Sequence, residues 1–420
     1  MQLTIKNRLI LMNFMQFFVW GAWLITIGNY WFDTKHWGPS EFGAIFSTLG
    51  LSSLFMPTIA GIIADRFINA EKLYAFLHLI GGSILLYIPQ INNSDTFFWV
   101  IFAAMICYMP TIALSNSISY NALKVNNLDV VKDFPPIRVW GTIGFIAAMW
   151  ATNLTGNKAL EGQFYIAGAA AIFLAIYSLT LPKCPPVKDS NSNISFTDSL
   201  GLNAFKLFSS YKMATFFIFS MLLGAALQLT NMYGDVYLSD FEKIPEFSNS
   251  FVVEYSTVIM SISQISETVF ILAIPFFLKR FGIKQVMLIS MMAWVLRFGL
   301  FAYGDPAEGL WMIIVSCIVY GMAFDFFNIS GSLFVETNTD SGIRSSAQGL
   351  FMMMTNGIGA IFGSYTSGII IDKFFKLENG SNDWPNIWIT FTIYSLIVAV
   401  LFAIFFKHKH NPSEVESLKH

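Results

Sequence analysis

Charge is scarce in this 420-residue sequence. Only 12% of its residues are Asp, Glu, Lys or Arg, about half the roughly 25% typical of soluble domains. That excludes the two or three water-soluble domains that the length alone would suggest. A formal net charge of −2 and an isoelectric point near 6.2 leave no basic surface, which removes nucleic acid from the partner classes. Cysteine is nearly absent. Cys107, Cys184 and Cys317 cannot build a disulfide framework and have no metal-ligand spacing. Also missing are His-Glu-x-x-His, Gly-x-Ser-x-Gly and a pair of mid-span Asp residues, which argues against an intramembrane hydrolase. What is abundant is apolar: 55% of residues are hydrophobic, 43 of them Phe, and mean hydropathy is +0.59. Most of the chain must face lipid.

A helix needs about 20 mainly apolar residues to cross the hydrocarbon core. Lys6 and Arg8 precede an apolar run from Leu9 to about Ile27 that is too long for a signal h-region and has no small-residue cleavage site after it, so it reads as the first span. Further spans are predicted near 42–64, 73–90, 97–120, 134–154 and 163–181, the first itself covering 9–31. After a polar interval come 213–236, 254–278, 284–303, 309–335, 344–371 and 385–406. The expectation is an all-α integral membrane protein with twelve transmembrane helices. Basic residues set its orientation. With the N-terminus in the cytoplasm, only Lys35, Lys158, Lys243, Lys373 and Lys376 fall outside, and Arg138 and Arg297 lie within or near spans. The other 17 of the 24 Lys and Arg residues fall inside. Such a bias places both termini in the cytoplasm.

The one long polar interval divides the chain into residues 1–182, a cytoplasmic linker at 183–212, and residues 213–420, the last ending in a short cytoplasmic tail. Within the linker, Phe196 to Phe208 sets Leu200, Phe205 and Phe208 among polar residues, as an amphipathic surface helix would; a partly ordered linker fits as well. The halves carry related loops. Gly61-Ile-Ile-Ala-Asp65-Arg66-Phe67 follows the second span and Leu278-Lys279-Arg280-Phe281-Gly282-Ile283-Lys284 follows the eighth. These resemble complementary fragments of the major facilitator signature G-x-x-x-D-R-x-G-R-K. That resemblance implies two six-helix bundles that rock around a central site to give alternating access.

An ionisable side chain at membrane depth costs about 2.5–3.5 kcal/mol on insertion scales, so each one needs a reason. The eighth span carries Ser261, Gln264, Glu267 and Thr268 on one helical face; the tenth carries Tyr320, Phe324, Asp325, Asn328 and Ser332. Arg138, Thr142 and Phe145 share a face of the fifth span, Gln228 and Asn231 a face of the seventh, and Gln16, Trp20 and Trp23 a face of the first. Gln16, Gln348 and Thr355 read equally well as hydrogen-bonding links between helices. Arg138 also suits an interfacial anchor, following Pro135-Pro136 closely. Arg297 reads as a snorkelling or interbundle residue rather than a ligand. His78 has no polar stripe around it and reads as a packing residue. A cavity of amides, carboxylates, one guanidinium and flat rings suits a neutral, polar, partly aromatic solute. A carboxyl group desolvated there can also take up and release a proton near neutral pH. These patterns do not choose between a sugar, a nucleoside and a small peptide.

A closer resemblance does. Asp133-Phe-Pro-Pro-Ile-Arg138-Val-Trp-Gly-Thr142-Ile-Gly-Phe145, Gln228-Leu-Thr-Asn231-Met, Ser261-Ile-Ser-Gln264-Ile-Ser-Glu267-Thr and Tyr320-Gly-Met-Ala-Phe324-Asp325-Phe-Phe-Asn-Ile-Ser resemble the bacterial nucleoside:proton symporters of the major facilitator superfamily. So do Gln16-Phe-Phe-Val-Trp20-Gly and Tyr303-Gly-Asp-Pro. The resemblance implies import of purine and pyrimidine nucleosides across the bacterial cytoplasmic (inner) membrane by a lipid-embedded monomer. The proton is the coupling ion, with no other cofactor and no metal. It implies substrate contacts from Arg138, Thr142, Phe145, Gln228, Asn231, Gln264, Glu267, Tyr320, Phe324 and Asp325. Asp325 and Glu267 are the expected proton carriers, Asp325 ranking first because it adjoins the aromatic wall. One departure is Ala226, where the family pattern carries a carboxylate. The alternatives are a symporter of the same fold for a sugar or a xanthosine-like purine compound, and a receptor of that fold that does not transport. A drug:proton antiporter would carry a Gly-Pro kink in the fifth span, and Val139 to Met149 has no Pro.

Overall fold

The computed structural model describes residues 4–186, 202–340, 343–377 and 381–409. Among these the regular secondary structure is helical apart from one isolated bridge, Lys376 to Asn382. It divides into two compact units, Met1–Ser199 and Leu200–His420.

The first unit contains α1 (Ile5–Gly21), α2 (Pro39–Arg66), α3 (Ala70–Tyr87), α4 (Ser94–Val125), α5 (Val130–Leu154) and α6 (Gly162–Ser178). The predicted first span is not one continuous helix. After α1 the chain turns through residues 22–26, then forms the short piece Ile27–Asn29 and a π-helical turn, Tyr30–Thr34. Local polarity chooses the helix starts: the Thr4 and Asn93 side chains accept from the backbone N–H groups of Asn7 and Thr96. The core has an aliphatic centre around Leu9, Met12, Leu73, Leu114, Ile118 and Leu174. It also has an aromatic cluster in which Trp31 meets Trp37, Phe42 and Phe97. Gly144 lets α5 lie against α1, because a Cβ there would stand 2.1 Å from the Phe14 carbonyl oxygen. The segment after α6 is tied back by Glu71, whose Oε2 accepts from the Cys184 N–H at 2.8 Å.

In the second unit the 3-10 helix Leu202–Ser209 precedes α7 (Tyr211–Asp240). Phe205 stacks on Phe208, which packs on Phe217 of α7; the Phe196–Gly201 part of the expected surface helix lies outside the described residues. The helical run Ser256–Tyr303 breaks at Gly282, where φ is 75° and ψ 170°. Only glycine adopts that conformation without strain. The break divides the run into α8 (256–281) and α9 (283–303), so the glycine of the second signature fragment is the corner between two predicted spans. Next come α10 (Leu310–Asn338) and α11 (Arg344–Met352), a π-helical stretch at Met353–Gly359, α12 (Ala360–Phe374) and α13 (Trp384–Phe405). Seven helical segments among the described residues are long and apolar enough to cross a bilayer, the Ser256–Tyr303 run counting as one of them. The chain is a multi-pass membrane protein.

Candidate functional site

The polar stripes of the second unit meet where α7, α8, α9 and α10 pack. Small residues bring α8 and α10 together: the Ser266 hydroxyl donates to the Ile318 carbonyl. One residue beyond that contact lies Glu267, close enough to Asp325 and Tyr320 to act on both electrostatically. Asp325 is 4% exposed, and its Oδ2 has no hydrogen-bond partner among the described residues. The same holds for Gln264 Oε1 on α8 and Gln228 Oε1 on α7. A buried, unmade hydrogen bond costs about 1–3 kcal/mol, so three orphaned acceptors on three adjoining helices form a site in want of donors. Beside them Tyr320 and Phe324 lie nearly parallel, centroids 6.2 Å apart and planes 12° apart. Asn231 is half-buried on the α7 face of Gln228. A shallow cavity lined by Gly224, Leu227, Trp294, Phe324 and Asn328 opens on this region.

The first unit presents a second cluster. Phe145 of α5 meets the edge of Trp20 of α1 at 6.3 Å, and Trp20 contacts Tyr108 of α4 at 5.5 Å. The Arg138 guanidinium lies 4.0 Å from the Phe17 ring centroid, a cation–π geometry that fixes its plane. Thr142 is half-buried one turn beyond Arg138. The Trp20 indole N–H is buried with no acceptor among the described residues.

Behind that cluster sits a network that the periodicity did not reveal. Gln16 is fully buried, and its Oε1 accepts from the Tyr74 hydroxyl at 2.6 Å and faces His78 Nε2 at 2.9 Å. Its Nε2 donates to Thr111 at 2.8 Å, and its carbonyl accepts from Tyr108 at 2.7 Å. Gln16 is thus a link between α1, α3 and α4. His78 is a member of a polar network rather than a packing residue, because its partner comes from a different helix. Gln348 and Thr355 also bond to backbone, to Ser332 and Phe351. Arg297 does not snorkel; it is 0% exposed, its Nε and Nη1 bond to Thr230, Ser263 and Ser316, and its Nη2 has no hydrogen-bond partner among the described residues. The sequence reading passed over Asp235, 1% exposed on α7 and accepting from Thr257. Its place four residues beyond Asn231, on the same face, was the available signal.

A multi-pass helical protein with buried carboxylates, unpaired amide oxygens and paired rings at membrane depth has the makings of a solute transporter. The family model described as "Nucleoside H+ symporter" matches residues 1–411. The chain is 50% identical over 415 residues to the xanthosine permease of Escherichia coli strain K12, covering 99% of each. It is 48% identical over 421 residues to the nucleoside permease NupG of the same organism, covering 100% of each. Among solved structures, that of the nucleoside transporter NupG is similar with a TM-score of 0.91 at 49% identity, over 97% of this chain and 100% of that one. A bacterial homologue of the lysosomal transporter Spinster shares the fold with a TM-score of 0.68 at 12% identity, over 98% and 96%. The chain belongs to the nucleoside H+ symporter family and is a transporter, not an enzyme.

Proposed function

We propose that this chain imports nucleosides together with protons across the bacterial inner membrane, by alternating access in a major facilitator fold of twelve spans with both termini cytoplasmic. Residues 1–182 and 213–420 are the two bundles and 183–212 the linker between them. The observation that carries the reading is the set of orphaned acceptors, Gln228 Oε1, Gln264 Oε1 and Asp325 Oδ2, beside the parallel rings of Tyr320 and Phe324. A nucleoside is complementary to that set. Its ribose hydroxyls and base N–H groups supply donors, and its base supplies a flat face. In the second unit Gln228, Asn231, Gln264 and Glu267 take polar edges, while Tyr320 and Phe324 take the base. In the first unit Arg138 and Thr142 offer donors and Phe145 a ring. Asp325 and Glu267 carry the proton. Two neighbouring carboxylates are suited to taking up and releasing a proton that substrate can exchange with. The protein works as a monomer in lipid, with the proton as its coupling ion and no other cofactor, metal or nucleic acid.

The relatives at about half identity include a xanthosine permease as well as a general nucleoside permease, so the test covers both purines and pyrimidines. Purified protein in liposomes should take up radiolabelled uridine, adenosine or xanthosine faster, and to a higher level, under an imposed inward proton gradient. Uptake of every one of them indifferent to the gradient would refute the reading.

A further inference from the structure

We propose that Arg297 is the positioning residue of the substrate site, a guanidinium that locks α7, α8 and α10 in the register that aims their binding side chains. The proposal deepens the nucleoside reading and rests on it. Arg297 lies on α9 and is 0% exposed, in a span where a guanidinium costs about 2.5–3.5 kcal/mol to insert. The acceptors it reaches are all neutral. Nε donates to Thr230 Oγ1 at 3.2 Å, and Nη1 to Ser263 Oγ at 3.3 Å and to the Ser316 carbonyl at 2.6 Å. The Ser316 hydroxyl returns a bond to the Arg297 carbonyl at 2.9 Å.

The addresses of those partners carry the argument. Thr230 precedes Asn231 on α7, Ser263 precedes Gln264 on α8, and Ser316 lies one turn before Tyr320 on α10. The guanidinium also faces Tyr320 itself, 4.7 Å from the ring centroid, and Trp294 of α9 closes on that ring edge-on at 5.8 Å. One side chain thus touches the neighbour of a binding residue on two helices and a binding residue on the third. A planar fork with several fixed donors can hold three helices at once, and an ammonium cannot reproduce that geometry. Arg297 contacts one binding residue, Tyr320, and the sequence neighbours of two others, so it acts through them.

The test is equilibrium binding of tritiated uridine, adenosine and xanthosine to purified protein in detergent, with thermal stability recorded for every variant. Arg297→Lys should weaken binding of the wild type's preferred nucleoside at least tenfold, and Thr230→Val and Ser263→Ala about threefold each. Tyr394→Phe removes a hydroxyl on a half-buried side chain that donates to the Leu222 carbonyl at 2.7 Å. It should lose stability yet bind within twofold of wild type. In a Tyr320→Ala background, Arg297→Lys should add less than threefold, because much of its effect passes through that ring. Arg297→Lys that is less stable but binds within twofold of wild type would make the arginine merely structural and overturn the proposal. Should that variant fail to fold, Thr230→Val and Ser263→Ala both binding within twofold would overturn it equally. A wild type that binds no nucleoside would sink the substrate reading and this proposal together, a result distinct from either.

Discussion

Replacing Gln16 by Leu isolates the contribution of a single buried amide. The substitution nearly conserves volume and removes three side-chain hydrogen bonds, to Tyr74, His78 and Thr111. Interhelical bonds in membrane proteins average about 0.6 kcal/mol, so the bonds alone amount to about 2 kcal/mol. None of the abandoned partners has water to turn to, since Tyr74 and Thr111 are 0% and His78 2% exposed; Thr111 keeps its bond to the Tyr108 carbonyl, which leaves two stranded. Stranding a buried polar group costs about 1–3 kcal/mol, so two of them set the expected loss between about 2 and 6 kcal/mol. Thr111→Val removes one of the three bonds together with the Thr111 bond to the Tyr108 carbonyl, strands only the Gln16 Nε2, and should cost less than Gln16→Leu, about 1–3 kcal/mol. Unfolding of the purified protein in mixed micelles, titrated with a denaturing detergent, gives both differences. Equal losses from the two variants, or a Gln16→Leu loss below about 0.5 kcal/mol, would refute the idea that Gln16 is the hub. Uptake should suffer beyond the stability loss, because Gln16 lies one turn before Trp20, which meets Phe145.

Three further outcomes follow from particular contacts. With one proton per nucleoside, a gradient of one pH unit and no membrane potential, wild-type protein should accumulate nucleoside about tenfold, whereas Asp325→Asn should equilibrate it without concentrating it. Tenfold accumulation by that variant in a liposome flux assay would move the proton elsewhere. Gly224→Ala places a Cβ 2.1 Å from the Thr355 carbonyl oxygen, which is backbone and cannot step aside. Overpacking of this kind costs about 1–3 kcal/mol, visible as a lowered melting temperature, and an unchanged one would contradict the packing of α7 on the π-helical stretch. Asp133, ahead of the fifth span, accepts a hydrogen bond from Lys6 Nζ at 2.8 Å, and that contact holds its carboxyl below the usual carboxylate range. A lowered folded-state value means the stabilisation is present above about pH 4, the unfolded value, and fades as pH falls through the folded one. Melting temperatures of wild type and Asp133→Asn should therefore converge in acid, and a gap that persists there would contradict the pairing.

Much of the candidate site was legible because helical periodicity assigns a residue to a face. Gln264 and Glu267, or Tyr320, Phe324 and Asp325, announced a polar face in a chain with almost no charge to spare. Periodicity says nothing of what a face meets. His78 looked isolated because its partner, Gln16, is 62 residues away on another helix. Arg297 looked like a snorkelling residue because the sequence cannot tell whether a polar partner lies behind it. Thr230, Ser263 and Ser316 are common residues with no individual signal, and together they accept from Nε and Nη1 of a buried guanidinium. The interruptions were hidden for a related reason. Polar content marks a span's end but not a π-helical turn such as Met353–Gly359, where the hydrogen bonding shifts inside the predicted span 344–371.

The sequence by itself determined that the chain is helical, lives in lipid and keeps a few ionisable groups there, because the bilayer punishes any other composition and the 3.6-residue period is local. The tertiary structure decided which of those groups are spoken for. Gln16 finds hydrogen-bond partners on neighbouring helices, and Arg297 finds them for Nε and Nη1, while among the described residues Asp325 Oδ2, Gln228 Oε1 and Gln264 Oε1 find none. Hydrogen bonding is short-ranged and depends on how each helix is rotated against the next. Only the packed chain could separate the polar atoms that meet a partner from those that do not.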